Sequence, residues 1–246
     1  MTGWLQPRRI PDLGHNDVHI WRMSLDLNKP VLQKIHAFLN EQEKKRADRF
    51  RFEKDRQHFI AARGQMKFLL GEYLMCNPDD IHLHFTEYGK PYLEHRKLYF
   101  NISHSHKLAL LAIRKNYEVG IDIEWKHRNI EPLKIAGRFF SQVEQDELFS
   151  LNPKQQTDGF FKCWSSKEAF IKAVGLGLSM PLRSFDVVLN PEREANLLDV
   201  RHSGYAADNW QLFNIDTHNE YASAIVVQKP VNLLLFWDLS ENLFAN

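Results

Sequence analysis

Apolar positions recur along this chain with two different spacings, and the switches between them mark its elements. Residues 18–25 (VHIWRMSL) read as a strand, and residues 30–39 as a short helix opened by Pro30. Between residues 41 and 74, Phe59, Ala62, Met66, Leu69 or Leu70 and Tyr73 fall three or four apart, which predicts a mostly helical stretch; Asn77-Pro78-Asp79-Asp80 stops it. Residues 81–85 (IHLHF) alternate like a strand and run into a turn at Tyr88-Gly89-Lys90-Pro91. Residues 108–113 and 118–123 read as two more strands. A tight turn at Lys115-Asn116 predicts that they pair as a hairpin, with Ala109 opposite Asp122, Lys107 opposite Glu124, and residues 103–106 beside those carboxylates.

The chain also resembles itself. Residues 97–113 align without gaps on a later segment when Phe100-Asn101-Ile102 is laid on Phe213-Asn214-Ile215, an offset of 113 residues. A strand-like segment precedes each copy (81–85 and 184–189), and a charged helical stretch precedes that (41–74 and 158–174). The matching order predicts an α+β fold of two similar halves packed together, with residues 1–115 as the N-terminal half, 116–228 as the C-terminal half and 229–246 as a C-terminal tail.

Composition narrows the class. A chain of 246 residues with 43% hydrophobic and 26% charged residues is long and apolar enough for a sizeable core, which sets aside disorder and coiled coil. Lys plus Arg number 32 against 31 Asp plus Glu, so net charge argues for neither nucleic acid nor membrane as a partner. The apolar run at 108–113 is strand length, far short of the roughly 20 residues of a membrane span. Two cysteines are too few for a disulfide framework, and the opening MTGWLQPRRI lacks the apolar stretch of a secretory signal. A cytoplasmic protein is expected.

Several constellations carry candidate chemistry. Asp122 and Glu124 stand two apart on a strand, so both carboxylates share a face; they are either ordinary exposed charges or a pair that needs a cation, for which Mg²⁺ suits oxygen donors. In WSSKEAFIKA, Glu168 and Lys172 are one helical turn apart, which suits a simple ion pair equally well, and Gly175-Leu176-Gly177 then turns the backbone close to that face. Arg49, Arg56 and Arg63 recur every seven residues along the predicted helix, so their guanidinium groups form one stripe with Lys45 a turn before Arg49, suited either to phosphates or to a solvated helix face. Ser103, His104, Ser105 and His106 could contact phosphate, hold a metal or pair a nucleophile with a base. No strained elbow surrounds either serine, and no P-loop, dinucleotide fingerprint or zinc-type cysteine pair is present.

Six segments in order across residues 49–178 resemble the Sfp-type 4'-phosphopantetheinyl transferases: RFRFEKDRQHFIAARG, the GKP turn, FNISHS, GIDIE, RFFS and WSSKEAFIKAVGLGL. The resemblance implies a single chain folded as an intramolecular pseudodimer, acting as a monomer with internal pseudo-twofold symmetry. It implies Mg²⁺-dependent transfer of 4'-phosphopantetheine from coenzyme A to a serine of an apo acyl, peptidyl or aryl carrier protein, with release of adenosine 3',5'-bisphosphate. Carried over by position, Asp122, Glu124 and Glu168 are the expected metal carboxylates, Glu168 the general base, and Lys172 the cation beside the transferring phosphate. Lys45, Arg49, Arg56, Arg63, Lys90, Ser103 and His104 are the expected coenzyme A contacts, on the N-terminal side. The competing expectations are a coenzyme A or carrier-binding module without transfer activity, an adaptor acting through the charged helix, and a metal-dependent phosphohydrolase.

Overall fold

A computed structural model describes residues 3–94, 97–127 and 129–244. The chain divides into two compact units. The first comprises Met1–His84, Tyr92–Asn116 and Asn232–Asn246, and the second Phe85–Pro91 and Tyr117–Val231.

In the first unit, β1 (Val18–Ser24) leads to three helices, α1 (Lys29–His36), α2 (Glu41–Ala47) and α3 (Glu53–Leu74). A short hairpin follows, β2 (Leu83–Phe85) and β3 (Pro91–Leu93), whose tip groups with the second unit. Then come β4 (Tyr99–Ser105) and β5 (Leu108–Arg114). The sheet also includes the last strand of the chain, β11 (Leu234–Asp238), in the order β11-β1-β5-β4, with β11 parallel to β1 and the other pairs antiparallel. One sheet face, carrying Trp21, Met23, Ala109, Leu111 and Ile113, buries itself with Ile60, Met66, Leu69 and Leu70 of α3.

The second unit runs β6 (Val119–Trp125), α4 (Pro132–Phe139), α5 (Gln142–Ser150), α6 (Pro153–Val174), the hairpin β7 (Phe185–Val187) and β8 (Leu197–Val200), then β9 (Trp210–Asn214) and β10 (Tyr221–Gln228). Its antiparallel sheet is ordered β6-β10-β9. Ala222, Ala224 and Val226 of β10 and Trp210 and Leu212 of β9 share a core with Phe160, Ala169, Phe170 and Ala173 of α6.

The element order of the first unit thus recurs in the second, β1 matching β6, α1–α3 matching α4–α6, and β4–β5 matching β9–β10. The pairing registers agree: Trp21 faces Leu111 as Asp122 faces Ala224. The identical Phe-Asn-Ile triplets, however, are one residue out of step. Phe100 lies in the core of its unit, whereas in β9 the core positions are Trp210 and Leu212.

Three further expectations are corrected. The hairpin of residues 108–113 with 118–123 does not form: β5 pairs with β1 and β4, and β6 with β10, so Asp122 faces Ala224 and Glu124 faces Ala222. The tight turn is His106-Lys107, with His106 at φ 54° and Ser105 opposite Leu108; β4 and β1 thereby take both edges of β5. The stretch 41–74 is mostly helical as expected but is not one helix: residues 48–52 separate α2 from α3, and there Phe50 packs on Phe59, ring centroids 5.4 Å apart. The supposed tail contributes β11, anchored by Arg22 Nε to Asp238 Oδ1 at 2.7 Å.

Candidate active site

Acid and base side chains gather in the second unit where β6 crosses α6. Gly120 sets that crossing: a Cβ there would lie 2.1 Å from the Ala169 carbonyl oxygen and 2.2 Å from the Ala173 nitrogen, so backbone packs directly on backbone. Two residues along, Asp122 is buried, and Lys172 Nζ stands 2.6 Å from its Oδ1. Glu168, one turn before Lys172, is half-buried. Burial, reinforced by the charge of Asp122, pushes the Glu168 carboxyl pKa above its ordinary value, with Lys172 opposing. Glu124, buried on the same strand, accepts a hydrogen bond from Trp164 Nε1 at 3.2 Å.

The structure therefore brings Asp122, Glu168 and Lys172 together, with Glu124 beside them on β6. It treats the other expected residues differently. Lys90 also belongs to the second unit, but its ammonium is engaged by Glu118 Oε2 at 2.6 Å and by the carbonyls of Ala173 at 2.8 Å and Val119 at 3.3 Å. In the first unit, Ser103 and His104 are consecutive on β4 and project to opposite faces, Ser103 buried and His104 exposed. Lys45 is exposed on α2, and Arg49 lies in the break before α3, so the seven-residue spacing does not make one stripe. Arg56 reaches Asp48 at 3.4 Å and Glu53 at 3.3 Å. Arg63 Nε lies 3.5 Å from Glu43 Oε1, while its Nη1 is buried without a hydrogen-bond partner; burial draws its pKa down.

Sequence reasoning passed over Gly120 and two buried ion pairs. Glu144 meets Lys167 Nζ at 2.8 Å, and Lys167 also donates to the carbonyls of Leu182 and Phe185. Glu43 meets the fully buried Lys67 at 3.4 Å in the first unit. Both acids close capping boxes, Asn40 with Glu43 and Ser141 with Glu144, and that three-residue spacing was the readable signal.

Among the described residues, no group of three or more His, Cys, Asp and Glu side chains is arranged to hold a metal ion. Asp122, Glu124 and Glu168 all offer the hard carboxylate oxygens that Mg²⁺ takes, and the raised pKa of Glu168 comes first from its burial and then from the charge of Asp122. No helix among the described residues is long and apolar enough to cross a membrane.

Fold and site define a two-unit α+β protein whose second unit gathers the acid–base chemistry. Residues 118–226 match the 4'-phosphopantetheinyl transferase superfamily, and residues 26–116 match the 4'-phosphopantetheinyl transferase N-terminal family. The chain is 34% identical to the 4'-phosphopantetheinyl transferase HetI of Nostoc sp. over 91% of its own length and 93% of the relative's. It is 32% identical to the 4'-phosphopantetheinyl transferase Sfp of Bacillus subtilis, over 71% and 77% respectively. The chain belongs to the 4'-phosphopantetheinyl transferase superfamily.

Proposed function

We propose that this protein transfers 4'-phosphopantetheine from coenzyme A to the serine hydroxyl of an apo acyl, peptidyl or aryl carrier protein, as a single-chain enzyme of the Sfp type. The observation that carries this reading is the group at the β6–α6 crossing: a buried Asp122 held by Lys172, next to a Glu168 whose affinity for a proton is raised. In the proposed step Glu168 takes the proton of the carrier serine as its oxygen bonds to the phosphorus bearing pantetheine. The bond from that phosphorus to the bridging oxygen breaks, and adenosine 3',5'-bisphosphate leaves with the electron pair. In this reading Lys172 offsets charge on the transferring phosphoryl group, and Asp122, 2.6 Å from its ammonium, holds it. Asp122, Glu124 and Glu168 would hold the Mg²⁺, which when bound neutralises pyrophosphate charge. Because the carrier supplies the nucleophile, Ser103 and Ser105 need no nucleophilic role.

The test is product analysis after incubation with coenzyme A, Mg²⁺ and an apo carrier. Adenosine 3',5'-bisphosphate formed in equal amount to modified carrier is the expected result. Nucleotide or inorganic phosphate released without carrier would instead make the protein a phosphohydrolase, and tight coenzyme A binding with no product would make it a binding module.

A further inference from the structure

Lys90 sits in a turn that ties its own backbone N–H and carbonyl. Its N–H donates to Thr86 Oγ1 at 3.1 Å, its carbonyl accepts from Thr86 N at 2.9 Å, and Gly89, at φ 83°, closes the turn onto the Thr86 carbonyl. From that base the side chain runs along Gly175, the left-handed cap of α6, where a Cβ would come within 3.1 Å of Lys90 Cδ. The ammonium ends among Glu118 Oε2, the Val119 carbonyl and the Ala173 carbonyl, with only 11% of the side chain exposed. One cation thus fastens the first residue of β6 and the residue before it to the last turn of α6. Those are the segments whose separation sets the distance from Lys172 to Asp122. Both carbonyls and Glu118 are acceptors that direct the ammonium inward, which is poor geometry for a phosphate ligand.

We propose that Lys90 is a positioning residue: a clasp that, with Glu118, holds the end of α6 against the start of β6 and so keeps Lys172 on Asp122. The proposal rests on the transfer reading above. Loosening the clasp displaces the catalytic cation without touching coenzyme A, so it lowers turnover and leaves substrate affinity in place.

The test compares Lys90→Met, Lys90→Arg, Glu118→Gln and the Lys90→Met/Glu118→Gln double variant in the full chain, with coenzyme A, Mg²⁺ and an apo carrier. Lys90→Met is expected to lower kcat by about 10- to 100-fold with KM for coenzyme A within about twofold. Glu118→Gln should act in the same direction, the double variant should be no worse than Lys90→Met, and Lys90→Arg should recover much of kcat. If Lys90→Met does not yield folded protein, Glu118→Gln and Lys90→Arg carry the same kcat-against-KM comparison. A rise in KM for coenzyme A at unchanged kcat, a silent Glu118→Gln, or additive effects in the double variant would overturn the clasp. Thermal unfolding of the same set is read independently of activity, and equal, non-additive shifts in Tm are expected. An inactive wild type that still shows those shifts would refute the transfer reading while leaving the clasp geometry standing; additive shifts would refute the clasp.

Discussion

The two units place different residues at the same crossing of first strand and long helix. In the second unit Gly120 and Ala173 let α6 lie on β6 backbone to backbone. In the first unit the matching residues are His19 and Tyr73, whose His19 Nδ1 and Tyr73 Oη meet at 2.6 Å with ring centroids 5.6 Å apart; Trp21 Nε1 also donates to Tyr73 Oη at 3.0 Å. Where the second unit has Asp122, Glu124 and Glu168, the first has Trp21, Met23 and Phe68. The same repeat is therefore filled with aromatic packing on one side and with ionisable groups on the other. A close, side-chain-free crossing brings Glu168 and Lys172 within range of Asp122, whereas in the first unit the same place is filled by packed rings.

The largest expected effect tests the chemical half of that contrast. Glu168→Gln should reduce kcat by about 10²- to 10⁴-fold with coenzyme A affinity retained, read by steady-state kinetics and a coenzyme A titration. An unchanged kcat would remove Glu168 as the base.

Next come the two buried ion pairs, which the repeat makes comparable. Lys167→Met strands Glu144, which is 1% exposed, and should cost about 3–5 kcal/mol in denaturant unfolding. Lys67→Met should cost less, about 1–3 kcal/mol, because Glu43 keeps Arg63 as a partner. Equal losses would mean the pairs are interchangeable and the comparison misleads.

Gly120→Ala should destabilise by about 3 kcal/mol, the upper end of overpacking costs, since the new methyl meets helix backbone rather than a movable side chain. Activity should fall with it as Lys172 shifts. An enzyme as stable and active as the wild type would show that the tight crossing is not needed.

The smallest effect lies in the first unit. Burial holds the His19 pKa down to about 4 from 6.5, with Asp17 opposing. Between those values the unfolded chain binds a proton that the folded chain does not, so stability falls as pH falls through the window, by about 2 kcal/mol at pH 5. His19→Leu should flatten that acid slope, measured as Tm against pH; an unaltered slope would place the titration elsewhere.

Much of this was legible in the chain. Strand β1, helix α1 with its opening proline, and the charged helical stretch 158–174 within α6 were readable, and Asp122, Glu168 and Lys172 stand out as residues on shared faces. Pairing partners were not legible, because β5 has apolar residues on both faces and its neighbour is chosen by the His106-Lys107 turn, which lacks a glycine signal. The internal repeat was visible through its Phe-Asn-Ile triplets, yet the more faithful correspondence was carried by the capping boxes and the buried lysines. The arginine stripe failed because helical spacing cannot reveal a break at residues 48–52 made by Phe50 packing on Phe59. Lys90 was an expected coenzyme A contact; that its ammonium meets Glu118 and two backbone carbonyls is a tertiary fact.

The central claim is that the β6–α6 crossing of the second unit carries group transfer. Intact-mass measurement of an apo carrier protein after incubation with coenzyme A, Mg²⁺ and either the wild type or Glu168→Gln tests it most directly. A gain equal to one 4'-phosphopantetheine group is expected with the wild type and almost none with the variant in the same time. No gain across acyl, peptidyl and aryl carriers with folded wild-type protein, or an equal gain with Glu168→Gln, would contradict it.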